Sequence, residues 1–206
     1  MQPHSSNILD QVGNTPLVEL PRMTPNPRGR IMSKLEGFNP TGSIKDRVAK
    51  YLVDEAESKG ILKPPHTIIE ASTGNTALAL SLIAKQKGYG LKVVMLRRST
   101  PGMAELLKTF GVDILWCDPT AGMKGAIEMA DMLSKKHSWF NTRQFDSQAN
   151  VKAHYDTTGP EILQAVSQVD VLVAGIGTGG TLMGTGKRLK EHNPKVQFIG
   201  LEPKLG

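Results

Sequence analysis

Apolar and polar positions follow two rhythms that take turns along this chain. Compact apolar runs fall at residues 30–35, 67–71, 92–96, 112–117, 170–174 and 196–201, each of strand length. Between them the apolar positions spread to every third or fourth residue. Ile44, Val48, Leu52 and Ala56 form one such stripe, and Ala77, Leu80, Ile83 and Ala84 another; residues so spaced share one face of an α-helix. Further helices are predicted over 102–110, 123–135, 160–166 and 182–192. Strands alternating with helices are the pattern of β-α units around a largely parallel sheet, so the fold class is α/β. No repeat, low-complexity tract or Gly/Ser linker interrupts the pattern, and the polar stretch 141–157 is the best candidate for a domain boundary.

Composition narrows the class. The 206 residues are 39% hydrophobic and 21% charged, ordinary globular usage that excludes a disordered, collagen-like or disulfide-framed chain. A chain of this length buries roughly 70% of its unfolded surface in one large or two small domains. The single cysteine, Cys117, closes the apolar run Ile114-Leu115-Trp116 and reads as a buried, inert thiol. No basic segment followed by an apolar one opens the chain, and no apolar run approaches the ~18 residues that span a bilayer. A cytoplasmic protein with no membrane partner is therefore expected. The net charge of +6 is scattered, and the 5% of aromatic residues do not interleave with Lys or Arg, which argues against nucleic acid. His66, His137, His154 and His192 are isolated from other ligand types; they read as surface or capping residues, and no metal is predicted.

Three loops could carry chemistry. In Asn39-Pro40-Thr41-Gly42-Ser43-Ile44-Lys45-Asp46-Arg47, turn residues run into a helix that Thr41 or Ser43 could cap, placing Lys45 in the first turn. The helix dipole disfavours a cation there by about 0.3–1 kcal/mol. Deprotonating a lysine at pH 7 costs about 4–5 kcal/mol, so burial or imine formation must supply the rest. On spacing alone, a solvated lysine beside Asp46 is the simpler reading. The second loop, Ser72-Thr73-Gly74-Asn75-Thr76, opens a helix with four hydroxyl or amide side chains and a glycine, a set that suits a carboxylate or phosphate, or supplies a redundant N-cap. The third, Gly175-Ile176-Gly177-Thr178-Gly179-Gly180-Thr181, joins a strand to a helix, and its glycines let the backbone approach a phosphate closely. Gly175, Gly177 and Gly180 also match G-x-G-x-x-G with Glu202 ending the next strand, which is the rival dinucleotide reading. Neither a Walker A loop nor a G-x-S-x-G elbow is present.

In order and spacing, these loops together with Gly13-Asn14-Thr15-Pro16-Leu17 and Thr157-Thr158-Gly159-Pro160-Glu161-Ile162 resemble the cysteine synthase and cystathionine β-synthase family. Phrases such as Ala153-His154-Tyr155 and Gly200-Leu201-Glu202-Pro203 are most similar to the B-type cysteine synthases, the O-acetylserine sulfhydrylases. The resemblance implies a two-domain pyridoxal-phosphate fold of type II with three-layer αβα domains. A large domain of residues 1–35 and 147–206 would bind the cofactor phosphate, and a small domain of 36–146 the substrate carboxylate. It further implies that Lys45 binds pyridoxal 5'-phosphate as a Schiff base and acts as acid and base at the substrate's α-carbon. Asn75 would contact the cofactor's ring hydroxyl; Gly177, Thr178, Gly179, Gly180 and Thr181 would bind its phosphate; Ser72, Thr73, Thr76 and Gln144 would bind the substrate carboxylate.

The implied reaction is β-replacement on an O-activated serine such as O-acetylserine, with sulfide or a related sulfur donor yielding L-cysteine in a homodimer. Alternatives are cystathionine β-synthase chemistry on serine and homocysteine, or an inert relative that binds a partner. Three departures from the family pattern are visible: Thr73 stands where serine is usual, Ala77 where glycine is usual, and residues 97–105 lack the usual Met-Ser-x-Glu-Arg. Family members also continue beyond the length of this chain, so the C-terminal part of the large domain is expected to be missing, along with the hydroxyl residue facing the pyridine nitrogen.

Overall fold

In the computed structural model, which describes residues 7–24, 26, 29–72, 74–97 and 101–202, strands and helices alternate as the pattern predicts. The strands are β1 Leu17–Glu19, β2 Met32–Lys34, β3 Thr67–Ala71, β4 Gly90–Leu96, β5 Asp113–Cys117, β6 Phe140–Asn141, β7 Val171–Gly175 and β8 Gln197–Leu201. The helices are α1 Lys45–Ser58, α2 Asn75–Lys87, α3 Pro101–Thr109, α4 Gly122–His137, α5 Gln148–Ala153, α6 Gly159–Ala165 and α7 Gly180–His192, with a π-helical turn His154–Thr158 between α5 and α6. The chain divides into two units, Lys45–Ala149 and Met1–Ile44 with Asn150–Gly206.

Lys45–Ala149 is built on a four-stranded sheet in the order β5-β4-β3-β6, parallel throughout. Because side chains alternate across a strand, Ile69 and Ala71 of β3 join Val94 and Cys117 on one face, where Ala126 and Ala130 of α4 cover them. Ile68, Val93 and Met95, all without exposure, point to the other face, which α2 closes with α1 packed behind it. Each such fully buried aliphatic side chain stabilises the sheet by roughly 1.5–3 kcal/mol relative to exposure. The α2 helix ends where Gly88 enters the left-handed region at φ 78° and returns its N–H to the Ala84 carbonyl. Cys117 is buried in this core, where the sequence places it.

In the other unit β1 and β2 pair antiparallel, from Leu17 opposite Lys34 to Glu19 opposite Met32, while β7 and β8 pair in parallel. Ile162 of α6, Leu189 of α7 and Val196 form its apolar cluster, with Val169 and Leu172 against it. A polar knot ties the N-terminal motif to α6. The Lys34 ammonium donates to the Thr15 carbonyl at 2.6 Å, the Thr15 hydroxyl at 2.5 Å and Glu161 Oε2 at 2.6 Å, and Glu161 Oε1 accepts from the Asn14 amide at 3.0 Å. Two motifs that carry the family resemblance, Gly13–Leu17 and Thr157–Ile162, thus meet through one half-buried lysine.

The predicted strands and helices lie within two residues of those observed. Two short strands, β1 and β6, escape a reading by periodicity because two or three residues hold no repeat. The division between the two units falls within the polar stretch 141–157, which is itself structured: α5 and most of the π-turn lie in it, and Asn150 and His154 are buried there. Thr142, Gln144, Asn150 and His154 face inward and are hydrogen-bonded there, so at these positions polarity did not signal exposure.

Candidate functional site

Lys45 is the first residue of α1, after a turn in which Gly42 adopts φ 82°. Lys45 itself is partly buried. Asp46 is buried, and burial lowers the Lys45 pKa from the usual lysine value, shifting the group toward the neutral amine that a nucleophile or base must be.

The loop from β3 to α2 lies in the same unit. Ser72 Oγ accepts from the amides of Gly74 at 3.2 Å and Ala77 at 3.3 Å, so it caps α2 from outside and keeps its own proton to donate. Asn75 begins α2 and is exposed. Thr73 lies outside the described residues. The Thr76 hydroxyl donates to Gln144 Oε1 at 2.7 Å, and Gln144 Nε2 reaches Glu70 Oε1 and the Ala71 carbonyl, each at 3.3 Å. The structure therefore brings Thr76 and Gln144 together, though 68 residues separate them in sequence. Beneath them Glu70, 2% exposed, also accepts from the Thr142 hydroxyl. Burial pushes its carboxyl up to about 7, against the lowering pull of the hydrogen bonds from Thr142 and Gln144.

The glycine-rich loop belongs to the other unit, between β7 and α7. Its glycines divide into two kinds. A Cβ built on Gly177 or Gly179 meets nothing within 4 Å, whereas one on Gly180 would fall 2.0 Å from Asn150 Oδ1 and one on Gly184 2.2 Å from the Val151 carbonyl oxygen. Gly180 and Gly184 are thus required by packing. Gly179 is required by its φ of 81°. Gly177 has neither requirement, and its backbone is open to close approach. Gly179 precedes α7 and no side chain caps that helix, so its first-turn N–H groups and its dipole are presented to an anion. The Thr178 hydroxyl accepts from Asn150 Nδ2 at 2.7 Å, and Thr181 Oγ1 lies 3.3 Å from His154 Nε2. Uncapped N–H donors, two hydroxyls and open space where side chains would stand fit a phosphate.

Sequence reasoning missed three of these residues. His154, predicted to be a surface or capping residue, has no exposure and lies between Thr158 and Thr181, because the π-turn directs it inward. Asn150 and Glu70 were passed over since neither stands in a motif by itself; Asn150 four residues before His154, at the spacing of one helix turn, was the available signal. Among the described residues no group of His, Cys, Asp and Glu is placed to hold a metal ion, and no helix is long and apolar enough to cross a membrane.

The chain is similar to known proteins over nearly its whole length. A cysteine synthase from Flavobacterium sp. is 42% identical over 202 residues, 97% of this chain and 65% of the relative. An O-ureido-L-serine synthase from Streptomyces lavendulae is 41% identical over 203 residues, 98% of this chain and 62% of its own length. The crystal structure of an O-acetylserine-dependent cystathionine β-synthase from Helicobacter pylori superposes with a TM-score of 0.93 at 32% identity, covering 98% of this chain and 68% of that one. The chain spans less than two thirds of the length of these two curated relatives. The sequence profile of pyridoxal-phosphate dependent enzymes matches residues 8–206, and with relatives at this identity the chain belongs to that family, in its type II fold.

Proposed function

We propose that this chain carries the cofactor- and substrate-binding elements of a β-replacement enzyme that makes L-cysteine from an O-activated serine and sulfide or a related sulfur donor. The observation that carries the reading is the loop 177–181, whose open glycine positions and uncapped helix N-terminus fit the cofactor's phosphate. Three relatives support the reaction type. Cysteine, O-ureido-L-serine and cystathionine, as their names give them, are all three-carbon amino acids substituted at the β-carbon.

Pyridoxal phosphate, when bound, supplies an electron sink that acidifies the α-carbon of the amino acid. The chain's own residues do the rest. Lys45 Nζ would hold the cofactor and would take and return the proton at the substrate's α-carbon; its lowered pKa favours the neutral amine that this needs. Asn75 would orient the cofactor ring by a hydrogen bond to the ring's hydroxyl oxygen. Ser72, with its proton free to donate, Thr73, Thr76 and Gln144 bind the substrate carboxylate, which competes for the 2.7 Å bond between Thr76 and Gln144. We assign the cofactor's aldehyde to Lys45 and its phosphate to the loop 177–181, with the protein acting as a homodimer.

The test is spectroscopic and chemical. The protein loaded with pyridoxal phosphate should show a visible band, borohydride should fix the cofactor's mass on Lys45, and Lys45→Ala should lose both. Sulfide with O-acetylserine should then yield cysteine. A protein that shows no band after loading sinks the cofactor assignment; turnover of serine with homocysteine, but not of O-acetylserine with sulfide, sinks the choice of substrate.

A further inference from the structure

We infer that Asn150 is a positioning residue for the cofactor phosphate, acting through the Thr178 hydroxyl. The inference rests on the phosphate assignment made above and adds a residue outside the loop itself. Asn150 lies in α5, is 2% exposed, and directs its amide nitrogen at Thr178 Oγ1, 2.7 Å away.

The direction of that bond matters. An amide nitrogen can only donate, so the Thr178 oxygen must accept, and its own proton is left to point elsewhere. Turned into the open space beside Gly177 and Gly179, it becomes a donor to an anion. A hydroxyl in an exposed loop would otherwise rotate among partners; here it is fixed as a donor before any ligand arrives. The same amide also sets the backbone. A Cβ on Gly180 would fall 2.0 Å from Asn150 Oδ1 and 2.6 Å from its Cγ, so the first residue of α7 lies flush on the Asn150 side chain. One turn further on, His154 repeats the arrangement, with Nε2 3.3 Å from Thr181 Oγ1 and Nδ1 3.0 Å from Thr158 Oγ1. Both hydroxyls of the loop are thus held from the polar stretch 141–157.

A single experiment separates this role from general support of the fold. Asn150→Ala, Asn150→Asp, Thr178→Val and the double variant Asn150→Ala with Thr178→Val are titrated with pyridoxal phosphate by absorbance, and the 31P resonance of the bound cofactor is recorded for each. Asn150→Ala should weaken binding by about tenfold or more, in line with loss of an oriented bond to a charged group. Asn150→Asp should weaken it further, since a carboxylate accepts the Thr178 proton and adds a negative charge beside the phosphate. Both should shift the 31P resonance, and Thr178→Val should make Asn150→Ala nearly silent because the two act through one bond. Wild-type affinity with an unmoved resonance in Asn150→Ala, or losses that add in the double variant, would overturn the role of Asn150 alone. Should Asn150→Ala fail to fold, Thr178→Val against Thr178→Ser reads the same bond: equal affinity of the two overturns the inference, and rescue by serine supports it. A wild-type protein that takes up no cofactor overturns this inference together with the reading it rests on.

Discussion

Replacing Glu70 by glutamine should change how stability depends on pH, by an amount the structure sets. Glu70 is buried on β3 beneath Gln144 and Thr142, and burial raises its carboxyl from 4.5 to about 7. A carboxyl with a raised folded pKa is protonated in the folded state while the unfolded chain has already released its proton. Stability is therefore full below pH 4.5, falls as pH rises from there to about 7, and is level above. At 1.36 kcal/mol per unit, that shift amounts to about 3 kcal/mol. Glutamine has nearly the shape of the protonated acid: its carbonyl can still accept from Gln144, and its amide can face the Thr142 hydroxyl. Glu70→Gln should abolish the fall, so its stability relative to wild type should improve by about 2.5 kcal/mol between pH 5 and pH 8. Other titrating groups cancel in that difference. Both tryptophans, Trp116 and Trp139, lie in the same unit as Glu70, so urea unfolding followed by tryptophan fluorescence reports on the right part of the chain. Wild-type and variant profiles that run parallel from pH 5 to pH 8 would show that Glu70 does not titrate in this range and that the carboxyl is better solvated than its burial implies.

Other outcomes follow from the same structure. Gly184→Ala should destabilise by about 1–3 kcal/mol, because its Cβ meets the Val151 carbonyl oxygen at 2.2 Å, although alanine in a helix interior ordinarily stabilises. Gly177→Ala, with open space around it, should leave unfolding within about 0.5 kcal/mol of wild type but weaken cofactor binding; equal stability of the two variants would refute the division of glycines. Lys34→Met should cost roughly 2–3 kcal/mol by leaving Glu161 without its ammonium, measured by circular dichroism since this unit has no tryptophan, and Glu161→Gln in the same protein should recover part of the loss. Ser72→Ala should cost about 1 kcal/mol through the two amides it caps, a loss visible in the tryptophan signal and absent if another group takes over the cap.

Much of this protein is written locally. The stripe of Val48, Leu52 and Ala56 and the runs at 67–71 and 92–96 declare helix and strand because each needs only its own spacing to present one face or a continuous apolar edge. The three candidate loops were legible for the same reason, since glycines and hydroxyl residues at the start of a helix act through the backbone beside them. What depended on tertiary structure was every interaction between residues far apart in sequence. Thr76 meets Gln144 because β3 pairs with β6, and Lys34 meets Glu161 because β2 and α6 belong to one unit. Burial was equally out of reach. His154, Asn150 and Glu70 are polar, and polarity in sequence predicts exposure; only the packing of the π-turn against α7 and the covering of β3 turn them into buried, oriented groups. The shifts in the acidity of Lys45 and Glu70 have the same origin, because desolvation is a property of what surrounds a side chain in space and not of its neighbours along the chain.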